Sequence, residues 1–435
     1  MPFVPDKRLE AATRLAIYIH RTLQLDFGIE LWDGRTIPAG LGRDDLRIVV
    51  TDGAALTRLV RRPKATTLID LHAAGLIDLR GGSLFDIAAR RPKVRTRAIL
   101  KSLDKWFLLR NALPILFGST TLPPAETPAT ELVGDERERS SGSSKQDIEF
   151  HYDVSNDFYK LFLDPRMVYT CAYFKDWSND LETAQRDKLD MICRKLRLKP
   201  GDRFLDIGSG WGALVCHAAE HYGVNAVGVT LSTEQATLAR ALIAEKGLGD
   251  RVRIELQDYR TMDGPFDKIS SIGMFEAVGF DNYDAYFSTV HRLLAEGGLY
   301  LHHAITRPAK RDIKKFHAKN AEYKALIKYI FPGGELDWIG LTATNLETHG
   351  FEIHDVEGWR EHYAQTTELW ARRLMARFDE AAAIAGAART RIWILYLAGV
   401  SLAFRNSTVG LYQTLASKRR RGPAALPPTR ADLYA

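Results

Sequence analysis

Gly208, Gly210 and Gly212 follow directly on a short apolar segment with an acid inside it, Arg203-Phe-Leu-Asp-Ile207, and a helical pattern starts at once behind them. Residue types in that order suit one task. Glycines let a backbone approach a ligand closely, and a helix starting there presents unpaired N–H groups to it. Spacing narrows the ligand: a dinucleotide cradle needs GxGxxG, whereas this run reads GxGxG, so no diphosphate site is expected. Three more apolar segments end in polar or glycine residues, at Thr230-Leu-Ser232, Gln257-Asp-Tyr259 and Gly273-Met-Phe-Glu276. In a doubly wound sheet ligands sit at such strand ends.

Those ends must be carried by strands that all point the same way. Strands are expected over 204–207, 225–231, 251–256 and 266–272, with helices after Gly212 and Ser232. The alternation is that of an α/β fold with a doubly wound sheet. DIGSGWG ahead of GVTLS, QDY and FDKIS resembles S-adenosylmethionine-dependent methyltransferases. The resemblance implies S-adenosylmethionine as cofactor and a seven-stranded class I methyltransferase domain.

The chain has 435 residues, enough for two or three domains and a sizeable core. Hydrophobic residues at 46% with charged residues at 26% fit a globular protein. A net charge of +6 and a pI near 9.0 suit an anionic partner without naming one. Cys171, Cys193 and Cys216 show neither metal-ligand nor disulfide spacing, so no metal is expected and a reducing compartment is. The opening MPFVPDKRLEAATR is charged and lacks a secretory apolar core. The apolar run over 392–404 is too short to span a bilayer and reads as a buried helix.

Residues 1–119 read as a smaller mixed α+β domain. A helix is expected over 8–25, strands over 29–32 and 46–50, a helix from 53, and a strand-like pair over 68–71 and 75–79. Two basic clusters, Arg61-Arg-Pro-Lys64 and 90–97, precede an apolar segment over 98–117 that carries Trp106, Phe107, Leu109, Leu113 and Phe117 among Lys101, Lys105 and Arg110. That pattern suits an anionic membrane surface; a basic solvated rim beside a packed helix is the alternative. No nucleic-acid motif accompanies the charge, so no nucleic-acid partner is expected. Residues 120–146, rich in Pro, Ser, Thr and charge, read as a flexible linker.

Beyond the linker, HYDVSNDFYKLFLDPRMVYTCAYF, joined to DIGSGWG, GVTLSTEQ, QDYR, IGMFEAVG, LHHAI and YIFPGG, resembles the cyclopropane-fatty-acyl-phospholipid synthase family, including its mycolic-acid-modifying branch. The resemblance covers 147–417. It implies methyl transfer to a cis double bond of an unsaturated phospholipid acyl chain, and residues 1–119 match more loosely that family's lipid-binding domain. The protein is then expected in the cytoplasm, peripheral at the inner face of the membrane.

An alkene is a poor nucleophile, so the sulfonium methyl must be held in line with the π bond. Transfer leaves a carbocation, which an apolar closed site protects from water and aromatic faces stabilise. Tyr169, Tyr173, Phe174, Phe275, Tyr329, Phe331 and Trp359 are the candidates. A base must then take a proton from the added methyl to close the ring. The resemblance implies bicarbonate as that base, held by the backbone at Cys171, the Glu276 carboxyl, His303, the Ile305 backbone and the Tyr329 hydroxyl, with His303 as proton acceptor in the network. It likewise implies Gly208 and Gly210 at the methionine portion, with Asp206 behind them, and Tyr169 and Thr170 closing over it. Thr230 and Gln235 serve the ribose, with Leu231 between them also cofactor-binding, and Gln257 and Asp258 flank the adenine. Cys171 is not expected to be a nucleophile, since no step needs one.

Two departures bear on the product. The family often has MFEHVG where this chain has Ala277, and Glu149 puts a carboxylate on the segment expected to line the pocket. Glu149 acting as base after a hydride shift would give a methylene-branched chain instead. Towards the C-terminus, helices are expected over 366–385 and 389–417, covering the acyl pocket or a homodimer contact, and 418–435 reads as a basic disordered tail. The rival readings are a methyltransferase for a soluble small molecule and a lipid binder without turnover.

Overall fold

The computed structural model describes residues 6–90, 103–121, 155–318, 334–424 and 426–434. These fall into two compact units, the first holding the described residues up to 121 together with Phe378–Leu402, the second the remainder.

In the first unit a four-stranded sheet takes the order β2-β1-β3-β4, with β1 Gly28–Glu30, β2 Thr36–Ile37, β3 Arg47–Val50 and β4 Ile77–Arg80. Helix Lys7–Leu23 buries Ala11, Ala12 and Ala16 against Leu31, Ile37 and Ile115, the last from helix Lys105–Leu116. Residues 68–71, expected as a strand, lie instead in helix Ala65–Ala73. The burial explains the correction: Thr67 and Leu71 face the interior four residues apart, a helical spacing that a four-residue apolar segment does not reveal by itself.

The second unit is built on seven strands in the order β10-β11-β9-β8-β5-β6-β7. They are β5 Arg203–Ile207, β6 Asn225–Thr230, β7 Val252–Leu256, β8 Phe266–Ile272, β9 Leu294–Thr306, β10 Phe351–Gly358 and β11 Gly410–Lys418. β5 to β9 run parallel, while β11 is antiparallel to both neighbours. After Arg203 every residue of β5 is buried, as a central parallel strand covered on both faces requires. One face carries Leu189, Ile192, Val215 and Ala239 from helices Leu181–Lys195, Ala213–Tyr222 and Thr233–Glu245. The other carries Tyr286, Phe287, Val290 and Leu346. Chain order runs outward from β5 to β7, then returns to β8 on the other side of β5. The switch between β5 and β8 is where such a sheet opens a crevice.

Two expectations for the C-terminal part are corrected. The helix expected over 389–417 ends at Arg405, and the chain turns through Ser407, whose φ is +56°, into β11. The continuous apolar composition concealed this change of period. The tail from 418, expected to be disordered, is docked in its described part. Arg430 Nη1 lies 2.8 Å from Asp355 Oδ1, Arg197 Nε lies 3.0 Å from Asp432 Oδ2, and Leu433 is buried. Within helix Ala387–Arg405 the apolar residues Ile392, Trp393, Leu397 and Phe404 are buried, and among the described residues no helix is long and apolar enough to cross a membrane.

Candidate active site

The glycine loop leaves β5 with Gly208 at φ +77° and Gly210 at φ +54°, conformations that favour glycine. A Cβ on Gly208 would stand 2.8 Å from Met274 Cβ, whereas one on Gly210 would meet nothing within 4 Å, leaving that backbone open to a ligand. The N–H groups of Gly208 and Ser209 both donate to Val229 O, at 3.0 and 3.1 Å, which ties the loop to β6. Beneath it Asp206 is buried and accepts from Ser270 Oγ at 2.6 Å, and burial lifts its carboxyl to about 7. Asp206 therefore braces β5 against β8 from inside the sheet.

At the end of β6, Thr230 Oγ1 donates to Gln235 Oε1 at 2.8 Å, which occupies the amide oxygen and leaves the amide nitrogen as donor. Leu231 beside them is half-buried. Beyond β7, Gln257 Nε2 contacts Met262 Sδ. Asp258 caps the following turn and takes Arg260 on both oxygens, with Nη2 at 2.6 Å from Oδ2, so its carboxylate is already engaged.

The segment 169–173 is clamped from two sides. Thr170 O accepts from Gln185 Nε2 and Thr170 Oγ1 from Lys188 Nζ, both at 2.9 Å, while Ala172 N donates to Thr366 Oγ1 at 3.0 Å. Thr170 Cγ2 would lie 2.8 Å from a Cβ on Gly273, so this segment covers the end of β8. Tyr169 lies tilted 5.1 Å from Trp370 and meets Tyr159 edge-on at 5.3 Å. Cys171 is buried, and burial pushes its thiol well above the ordinary range, which favours the neutral thiol over a thiolate.

Glu276 follows β8 in a short 3-10 turn. Its Oε1 accepts from Ile305 N at 2.6 Å, so the Ile305 backbone N–H is engaged by this carboxyl. Oε2 is buried with no partner among the described residues, and burial raises the group to about 7. Gly273 N donates to His303 O at 2.9 Å, which joins the end of β8 to β9. His303 is buried. Its Nδ1 meets Gln413 Nε2 at 3.0 Å, its Nε2 has no partner among the described residues, and burial with Lys188 and Lys195 nearby holds it well below the usual imidazole range. Glu276 Oε2 and His303 Nε2 are thus among the buried side-chain atoms without a partner among the described residues, at the ends of β8 and β9.

The aromatic candidates divide. Tyr173 lies 4.8 Å from Trp359, whose ring meets His303 edge-on at 5.7 Å, and Phe174 stacks with His362. Phe275 turns away into the core against Tyr283, Tyr286 and His302. Glu149, Tyr329 and Phe331 lie outside the described residues. Lys188, Lys195, Gln413 and Thr366 carry no local signature and were not anticipated. Among the described residues no cluster of His, Cys, Asp and Glu forms a metal site.

Residues 139–414 match the family model described as mycolic acid cyclopropane synthetase. A probable fatty acid methyltransferase of Pseudomonas putida is 41% identical over 317 residues, 71% of this chain and 78% of its own length. The cyclopropane-fatty-acyl-phospholipid synthase of Escherichia coli K12 is 42% identical over 268 residues, 62% of this chain and 66% of its own length. Among solved structures, the mycolic acid cyclopropane synthase CmaA1 complexed with SAH and CTAB superposes with a TM-score of 0.60 at 36% identity, over 64% of this chain and 99% of that one.

Proposed function

Because the chain belongs to the mycolic acid cyclopropane synthetase family and is an S-adenosylmethionine-dependent methyltransferase, we propose that it methylates a cis double bond in an unsaturated phospholipid acyl chain and closes a cyclopropane ring. One observation carries the chemistry: the buried, partnerless Oε2 of Glu276 and Nε2 of His303. A pocket that leaves such atoms unmet is built for a small polar guest, and an oxyanion of the bicarbonate class satisfies both when Glu276 keeps its proton near neutral pH. When bound, that oxyanion supplies the base.

The residues around it do the rest. Glu276 and His303 grip the anion, joined by the backbone at Cys171 and the hydroxyl of Tyr329. Gly208, Gly210, Tyr169 and Thr170 receive the methionine end of the cofactor, Thr230 and Gln235 the ribose, Gln257 the adenine. The faces of Tyr173 and Trp359 stabilise the positive charge that develops on the acyl chain. The sulfur–methyl bond breaks as the methyl joins one alkene carbon. Loss of a proton from that methyl frees the electron pair that bonds to the other carbon.

The first unit serves as the docking module for an anionic bilayer. Helix Lys105–Leu116 and the residue after it leave Trp106 80%, Leu109 52%, Leu113 42% and Phe117 78% exposed. Lys105 and Arg110 on the same helix, with Arg62 and Lys64 beyond, are exposed as well. An apolar stripe flanked by cations matches a headgroup–acyl boundary.

The test is gas chromatography with mass spectrometry of acyl chains after incubation with S-adenosylmethionine and liposomes of a cis-monounsaturated phospholipid. A gain of one CH₂ with cyclopropane fragmentation is expected. A methylene branch would assign the base role to Glu149, and no gain with cofactor bound would overturn lipid methylation.

A further inference from the structure

The polar contacts of His303 reach back into the protein through a chain whose direction is set by one residue. Gln413 lies directly opposite His303 in the β11–β9 pairing. Its Oε1 accepts from Lys195 Nζ at 2.7 Å, and its Nε2 stands 3.0 Å from His303 Nδ1. Lys195 is buried, yet Glu357 pairs with its ammonium. An ammonium only donates. It therefore donates to the amide oxygen of Gln413 and repels the amide nitrogen, so the side chain cannot turn over. The NH₂ group is left facing Nδ1, where a donor requires a lone pair. A neutral imidazole carries one N–H, which must then be on Nε2.

We propose that Gln413, oriented by Lys195, is a positioning residue that locks His303 as the Nε2–H tautomer, so that the histidine is a fixed donor into the pocket and takes no part in proton transfer. This reading replaces His303 as proton acceptor. Protonating Nδ1 would set two N–H groups against each other, and the charges facing the ring already include Lys195 and Lys188, with Glu357 spent on Lys195 and Glu276 the acid at the pocket end. Trp359 fixes the ring plane, since its indole meets His303 edge-on and carries Lys195 at 5.1 Å from its centroid. The sequence separations are long, 110 residues from Gln413 to His303 and 218 from Lys195 to Gln413. Only the folded sheet assembles the chain.

The inference rests on the proposed reaction for its kinetic arm alone. The direct test is nitrogen NMR of the full-length protein labelled at histidine, with His303→Gln to assign the signal. Nδ1 is expected unprotonated and Nε2 protonated from pH 5 to pH 9. A proton on Nδ1, or titration within that range, overturns the proposal. In Gln413→Glu the carboxylate demands a donor. The proton should move to Nδ1 or the ring should become charged, kcat should fall about 10- to 100-fold, the worth of a hydrogen bond to a charged group, and a new ionisation should enter the pH–rate profile. KM for cofactor and lipid should stay within about threefold. Lys195→Met should release the amide and show both tautomers. A swapped tautomer with an unchanged rate refutes the donor role. The expected tautomer in a wild-type protein that transfers no methyl refutes the proposed reaction and leaves the tautomer lock standing.

Discussion

The two halves of the crevice are made differently. On the β5–β7 side the groups proposed to face the ligand are mainly backbone, opened by Gly208 and Gly210 at positive φ, with the side chains of Thr230 and Gln235 forming a short local pair. On the β8–β9 side they are side-chain atoms of Glu276 and His303, buried and held from behind by Ile305, Gln413 and Lys195. A backbone cradle tolerates solvent and binds by shape. A side-chain cradle works only at a chosen protonation state, so its cost is burial of groups whose ionisation must be suppressed.

Substitutions should separate the halves. Gly208→Val forces a branched side chain into the left-handed region and against Met274, and should weaken cofactor binding by at least about 100-fold in titration calorimetry. Glu276→Ala should leave that affinity within about threefold while lowering kcat about 100-fold. If both lose cofactor equally, the division is wrong. Thr230→Val should cost about 10-fold in cofactor affinity, one hydrogen bond, and spare kcat. Asp258→Asn should have the smallest effect, within about threefold, because Arg260 already holds both carboxylate oxygens.

Protonation sharpens the contrast. Folding lifts Glu276 from 4.5 to about 7, so the folded state holds a proton that the unfolded chain has released, and stability from this group falls as pH rises from about 4.5 to about 7. Glu276→Gln imitates the protonated acid. Its melting temperature relative to wild type should therefore climb across that window and level off above it. Its activity should stay close to wild type below pH 7 and fall off less above. A flat difference would mean that Glu276 is ionised in the fold.

The backbone half was legible because its signals are local. Gly208 to Gly212, the apolar strands and the capping Ser232 sit within a few dozen residues, and the local period dictates them. Glu276 and His303 emerged only through a family resemblance. What orients them did not emerge at all, since a lysine on one face of helix Leu181–Lys195 looks like any solvated charge until β11 brings Gln413 beside it. The strand that carries Gln413 was itself hidden behind Ala387–Arg405, where an unbroken apolar run suggested that the helix continued. Phe275 shows the converse: its type fitted a cation-stabilising face, but packing against Tyr283 and Tyr286 assigns it to the core.

β11 is the last of the described strands in chain order, yet it lies inside the sheet between β9 and β10. A chain made N-terminal end first therefore presents its glycine loop and β9 before Gln413. On the proposal above, the tautomer of His303 is set only when that strand slots in. The proposed lock is thus among the last contacts that synthesis makes available to the sheet.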